Sequence, residues 1–182
     1  MTNLGGSQDL GIVQMKAFRL RNNITLFGDS SQQQPIINIK ARQVIALNYI
    51  FDVADAATGQ QIFSLERKGL RSAFVRDHWR LLDTGGNQFG EIIETSSTLA
   101  IMRRWLSAVS DLAGLVFAFV PETYTIQTTS GQPQLIGYVI HQKNPFIVKM
   151  SLDTSQATQK FDPRISIASC ILLSIRDASK NS

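Results

Sequence analysis

The chain has 182 residues, 43% of them hydrophobic and 18% charged, with a formal net charge of +4. That length and apolar content suffice for one domain with a full core and exclude wholesale disorder. The mild basic excess is compatible with an acidic partner but does not require one.

Residues 1–10 are polar, contain two glycines, and read as a flexible tail. They have neither a basic start nor an apolar run, so no signal peptide is expected, and the sequon Asn23-Ile24-Thr25 then carries no meaning. Residues 11–178 are expected to form a single domain. Residues 12–27 read as one or two strands with a turn at Arg21-Asn22-Asn23, residues 29–35 as a polar loop, and Ile36, Ile37 and Ile39 as renewed extended chain. Residues 44–53 form one β-branched and aromatic run ending at a turn, Asp55-Ala56-Ala57-Thr58-Gly59. Residues 61–67 alternate as a half-buried strand does. Residues 74–82 are extended again, Asp83-Thr84-Gly85-Gly86-Asn87 is a strong turn signal, and residues 89–94 lead out. Strand, Asp/Gly turn, strand occurs twice, which predicts a meander of hairpins.

The period then changes. Leu99, Met102, Leu106 and Val109 fall at helical spacing, which predicts a helix beside Arg103 and Arg104. Residues 112–120 are strongly apolar, and they fit either an extension of that helix or a buried strand. Strand patterns return at 124–129, 135–141 and 146–152.

The last element is the most informative. Asp162 is suited to cap a helix, since its carboxylate can accept from free N–H groups of the first turn. Pro163 fits the first helical position. From Ile165 to Ile175 the chain holds only Ile, Leu, Ala, Cys and Ser. A helix over 162–176 with no wet face must be enclosed, and it is too short to cross a bilayer, which needs about 20 apolar residues. The expectation is a mainly β structure wrapped around this helix. Cys170, the one cysteine, sits mid-helix as a small buried hydrophobe. A single cysteine excludes an internal disulfide framework and suits a reducing compartment.

Read together, several segments suggest a family. These are Arg67-Lys68, Asp77 with Trp79, Asp83 with Gly86, Gly90 to Ile92, the helix segment ending in Arg103-Arg104, Asn144-Pro145-Phe146, and Phe161-Asp162-Pro163-Arg164 with its apolar run. Their order resembles the bacterial members of the tubby-like superfamily, a group that includes plant LURP-one-related proteins and phospholipid scramblases. The likeness covers roughly residues 36–178. It implies a closed antiparallel barrel of about twelve strands around the buried C-terminal helix, with one outer helix, and a theme of binding anionic phospholipid.

Two segments fit that theme. Arg67, Lys68, Arg71, Arg76 and Arg80 stand against Glu66 and Asp77, a local excess of three positive charges. They suit either lipid headgroups or strand edges kept positive against edge pairing. Arg103 and Arg104 precede Trp105 and the apolar 112–120 stretch, a pattern of a segment lying in a membrane interface or of a helix packed on the sheet. The expected headgroup contacts are Arg67, Lys68, Arg71, Arg103 and Arg104. The expected interface contacts are Trp105, Leu112, Phe117 and Phe119.

Catalysis finds no motif. His78 and His141 are the only histidines, and no nucleophile or carboxylate is tied to either by spacing. Asp83, Asn87, Glu91 and Glu94 fall at calcium-loop spacing, but Gly85 and Gln88 break the ligand pattern and a hairpin explains the stretch better. No phosphate-binding glycine loop and no nucleic-acid module is present. No metal site, cofactor or enzymatic activity is expected. The expected function is a non-enzymatic module for anionic phospholipid at a membrane surface, cytoplasmic or peripheral at the inner face. The alternative is a protein-interaction scaffold, with a protein partner or a second copy of the chain bound through residues 112–120.

Overall fold

A computed structural model describes residues 12–15, 23–29, 31–45, 48–68, 77–95, 122–142, 149–158 and 161–178. Ten strands run in chain order: β1 (Ile12–Met15), β2 (Ile24–Phe27), β3 (Pro35–Ile45), β4 (Asn48–Asp55), β5 (Gln61–Lys68), β6 (His78–Leu82), β7 (Gln88–Glu94), β8 (Glu122–Thr128), β9 (Leu135–Gln142) and β10 (Lys149–Asp153). One helix, α1 (Pro163–Ala178), follows them. The strands form one sheet in the order of the sequence, every neighbouring pair antiparallel. The chain is thus a mainly β structure with a C-terminal helix. Among the described residues no ladder joins β1 to β10, so the sheet is open there. The expected closed, twelve-stranded barrel is not found among these residues, and the expected outer helix lies outside them.

One face of the sheet is the core. Alternation puts Ile24 and Leu26, Ile37 and Ile39, Phe51 and Val53, Phe63 and Leu65, Trp79 and Leu81, Ile92, Tyr124 and Ile126, and Val139 on that face. They pack in one cluster with Ile165, Ala168, Ile171, Leu172 and Leu173 of α1. From residue 164 to 178 no residue of the helix is exposed, which is the enclosure its all-apolar sequence demands. Asp162 caps it as expected, accepting from Arg164 N at 3.0 Å. Burial pushes the Cys170 thiol up to about 11, so it remains a protonated packing group. No helix among the described residues is long and apolar enough to cross a membrane.

The sequence merges two elements that the structure separates. Residues 44–53 read as one strand, but β3 ends at Ile45 and β4 begins at Asn48, with Ile45 paired to Asn48. No glycine or proline marks the break at Ala46-Leu47, and an unbroken apolar run hides such a reversal. The hairpins on either side of Asp55 and Asp83 form as expected. In the second, Gly86 takes φ 84°, a conformation that costs other residues strain. Gly90 serves close approach instead. A Cβ there would lie 2.7 Å from the Gln127 carbonyl oxygen and 2.9 Å from Leu81 Cδ1. Gly90→Ala should therefore cost about 1–3 kcal/mol through overpacking, read as a lower urea midpoint.

The strict antiparallel order gives the sheet two unlike ends. At one end β2, β4, β6, β8 and β10 finish, and each turn there is opened by a side-chain acceptor. Asp55 Oδ1 accepts from Thr58 N at 2.9 Å, Asp83 Oδ1 from Asn87 N at 2.8 Å, and Asp153 Oδ1 from Ser155 N at 2.9 Å. Asp29 Oδ1 accepts from Gln34 N at 3.3 Å, and Thr128 Oγ1 from Gln134 N at 2.9 Å. All four aspartate carboxyls are held below the ordinary range, Asp29 and Asp153 first by the Ser31 and Ser155 hydroxyls, and Asp55 and Asp83 first by the Thr58 and Asn87 backbone N–H groups. α1 starts at this turn end, where Arg164 Nη1 meets Asp55 Oδ2 at 2.8 Å. It runs the length of the sheet to the opposite end.

Candidate functional site

At the opposite end the apolar core gives way to a buried polar cluster. Period-two alternation continues the inner face past its hydrophobic residues. Arg67 follows Leu65, Asp77 precedes Trp79, Glu94 follows Ile92, Glu122 precedes Tyr124, and His141 follows Val139. The last turns of α1 bring Arg176 and Asp177 to the same place. A polar group there must find partners or cost free energy.

Asp77 is the hub, with none of its surface exposed. Its Oδ1 accepts from Arg67 Nε at 3.0 Å, its Oδ2 accepts from Trp79 Nε1 at 3.0 Å, and Arg176 Nε lies 3.2 Å from Oδ2. The Arg67 guanidinium also lies over the Trp79 ring, 5.9 Å from its centroid, a favourable cation–π arrangement. Arg176 Nη1 donates to Tyr124 Oη at 2.8 Å and to Asp177 Oδ1 at 2.9 Å. Tyr124 donates to Glu122 Oε2 at 3.0 Å. His141 Nδ1 then faces Asp177 Oδ2 at 3.1 Å and Glu122 Oε2 at 3.9 Å.

The electrostatics follow from that geometry. Burial raises the Tyr124 phenol well above its ordinary value, against the pull of Arg176, so it stays a neutral donor. Burial works against the Arg176 charge, but Tyr124, Asp77 and Asp177 hold its pKa above the ordinary value. Contact with Asp177, then Glu122, raises His141 to about 9 against the opposing effect of burial. The unfolded imidazole titrates near 6.5. The raised folded pKa means that the His141 contribution is fully present below about pH 6.5 and is lost as pH rises to about 9. Unfolding free energy measured in EDTA should fall across that window by on the order of 3 kcal/mol, and His141→Gln should flatten the slope.

The structure brings together only part of what the sequence singles out. Arg67, an expected headgroup contact, points inward and is held by Asp77 and Trp79, with 18% of its side chain exposed. A headgroup would have to compete with both. Arg80 pairs with Glu66 across β5 and β6. Lys68 ends β5. Arg71, Arg103, Arg104, Trp105, Leu112, Phe117 and Phe119 lie outside the described residues, as do the expected helix over 95–112, apart from Thr95, and the 112–120 segment. His78 lies apart from the cluster, with Nε2 2.9 Å from Glu91 Oε2.

Sequence reasoning assigned no role to Glu122, Tyr124, Arg176 or Asp177, and named His141 without a partner. The available signal was alternation itself, which places Arg67, Asp77, Glu122 and His141 in phase with buried neighbours. Comparison with protein-family models, with curated proteins and with solved structures found no match to this chain.

Proposed function

We propose that the chain is a non-enzymatic, tubby-like module that binds anionic phospholipid headgroups at a membrane surface. The observation that supports this reading is the contrast in sequence charge between the connections at the two ends of the sheet. The turn end is acidic, with Asp29, Asp55, Asp83, Asp153 and Asp162 against Lys160 and Arg164. In the sequence, the five connections that leave the opposite end carry Lys16, Arg19, Arg21, Arg71, Arg76, Arg103, Arg104 and Lys143, against Asp77 and Asp111. A field of that polarity steers one end of the molecule toward an anionic surface. The headgroup contacts are then Lys68, Arg71, Arg103 and Arg104, and the interface contacts are Trp105, Leu112, Phe117 and Phe119. The same reading completes the sheet as a closed barrel of about twelve strands around α1. Its support is the unbroken neighbour-to-neighbour strand order and the enclosure of the helix. It places the protein in the cytoplasm, peripheral at the inner membrane face.

The test is co-sedimentation with vesicles of phosphatidylcholine, with and without phosphatidylserine, across a salt series. Binding should require the anionic lipid and weaken with salt. Neutralising Arg103 and Arg104 together should weaken it roughly 30-fold, at about 1 kcal/mol for each charge. Background sedimentation at low salt would overturn the reading and favour the protein-scaffold alternative.

A further inference from the structure

Three donors in the buried cluster converge. His141, Glu122 and Asp177 each offer one ligand atom, and the three atoms lie within 4.8 Å of one another. His141 is 8% exposed, and its Nδ1 is buried. Although Nδ1 is 3.1 Å from one carboxylate oxygen and 3.9 Å from the other, it is aligned on neither to make a hydrogen bond. A ring nitrogen set between two carboxylates without pointing at either has the placement of a ligand directed at a shared centre.

The distances suit a small cation. Four donors about 2.0–2.1 Å from zinc stand about 3.3 Å apart. The two edges at His141 are within about 0.6 Å of that separation. The third, between the carboxylates, needs to close by about 1.5 Å at most. The surroundings also suit it. Arg176 holds Asp177 Oδ1 and leaves Oδ2 toward the imidazole. Tyr124 fixes Glu122 through its hydroxyl. Such outer hydrogen bonds orient metal-binding carboxylates. The C-terminal end of α1, where Asp177 lies, favours positive charge. One imidazole with two carboxylates selects a borderline metal over calcium or magnesium.

We propose that Glu122, His141 and Asp177 form a zinc site that ties the end of α1 to β8 and β9, with the fourth position left to water or an incoming ligand. The proposal does not depend on the headgroup reading. Its test uses the full chain, stripped with EDTA, dialysed and titrated with zinc chloride near pH 7.5 by calorimetry, where zinc must displace the proton held by His141, with thermal unfolding as a second readout. The expected result is one zinc per chain and a raised unfolding temperature. Affinity should fall at least tenfold in both Glu122→Gln and His141→Ala, and should persist in His78→Ala, which removes the histidine beside Glu91. Circular dichroism identifies the folded variants, and His141→Gln replaces His141→Ala if the latter does not fold. No binding by the wild-type chain, binding lost in His78→Ala, or undiminished affinity in either folded ligand variant would overturn it.

Discussion

Ala168→Asp should yield no folded protein, and Leu172→Asp should do the same. Ala168 is fully buried and Leu172 is 1% exposed. Both pack in the single cluster that joins α1 to the inner face of the sheet. A carboxylate introduced there meets only hydrocarbon. It must either remain ionised without a partner or take up a proton, and each route costs several kcal/mol. That approaches the whole stability of a domain, about 5–15 kcal/mol. The expected readout is insoluble expression, or a soluble chain without a cooperative unfolding transition. Leu172→Met, which conserves volume, should cost less than about 1.5 kcal/mol and controls for position. A Leu172→Asp protein with a near-normal transition would contradict the enclosed helix.

The second large effect is expected at Asp77. Asp77→Asn keeps the size of the side chain but removes its charge. Arg67 and Arg176 then lose the carboxylate that both approach. The amide cannot accept from Arg67, Trp79 and Arg176 as the carboxylate does. Removing one partner of a buried ion pair typically costs about 3–5 kcal/mol, because the remaining charge stays buried. Urea unfolding of Asp77→Asn should show a loss of that size. Adding Arg67→Gln to Asp77→Asn should cost much less than Arg67→Gln alone, since the partner is already gone. Full additivity would mean that the two side chains are not coupled.

The sequence makes the helix and the hairpins legible because both rest on local signals. Asp162-Pro163 and the uncharged run mark α1, and the Asp/Gly turns at Asp55 and Asp83 mark two reversals. The link between Asp77 and Trp79 was visible as a pair, and the structure supplies its cause: the indole N–H needs an acceptor inside the core. The break at Ala46-Leu47 was not legible, since no turn residue marks it. The polar cluster was not legible either, because its members come from six separate elements or their flanks. Tyr124 and Arg176 are 52 residues apart in sequence, and no spacing rule joins them. Arg67 shows the difficulty in one residue. Counted with Lys68 and Arg71 it reads as surface charge, yet alternation with Phe63 and Leu65 turns it inward.

The neighbour-to-neighbour strand order has a consequence for synthesis. Each strand pairs with one made just before it, so sheet formation can follow the chain as it emerges, the longest reach being the connection from Glu94 to Glu122 between β7 and β8. α1 comes after all ten strands. Until it is released, the inner face from β2 to β9 lacks α1, which packs on it in the finished fold, and such exposed surface invites aggregation. The growing chain therefore passes through a stage in which a nearly complete sheet waits for its core. Chaperone demand should peak there, and truncations that stop before Pro163 should be trapped as aggregates.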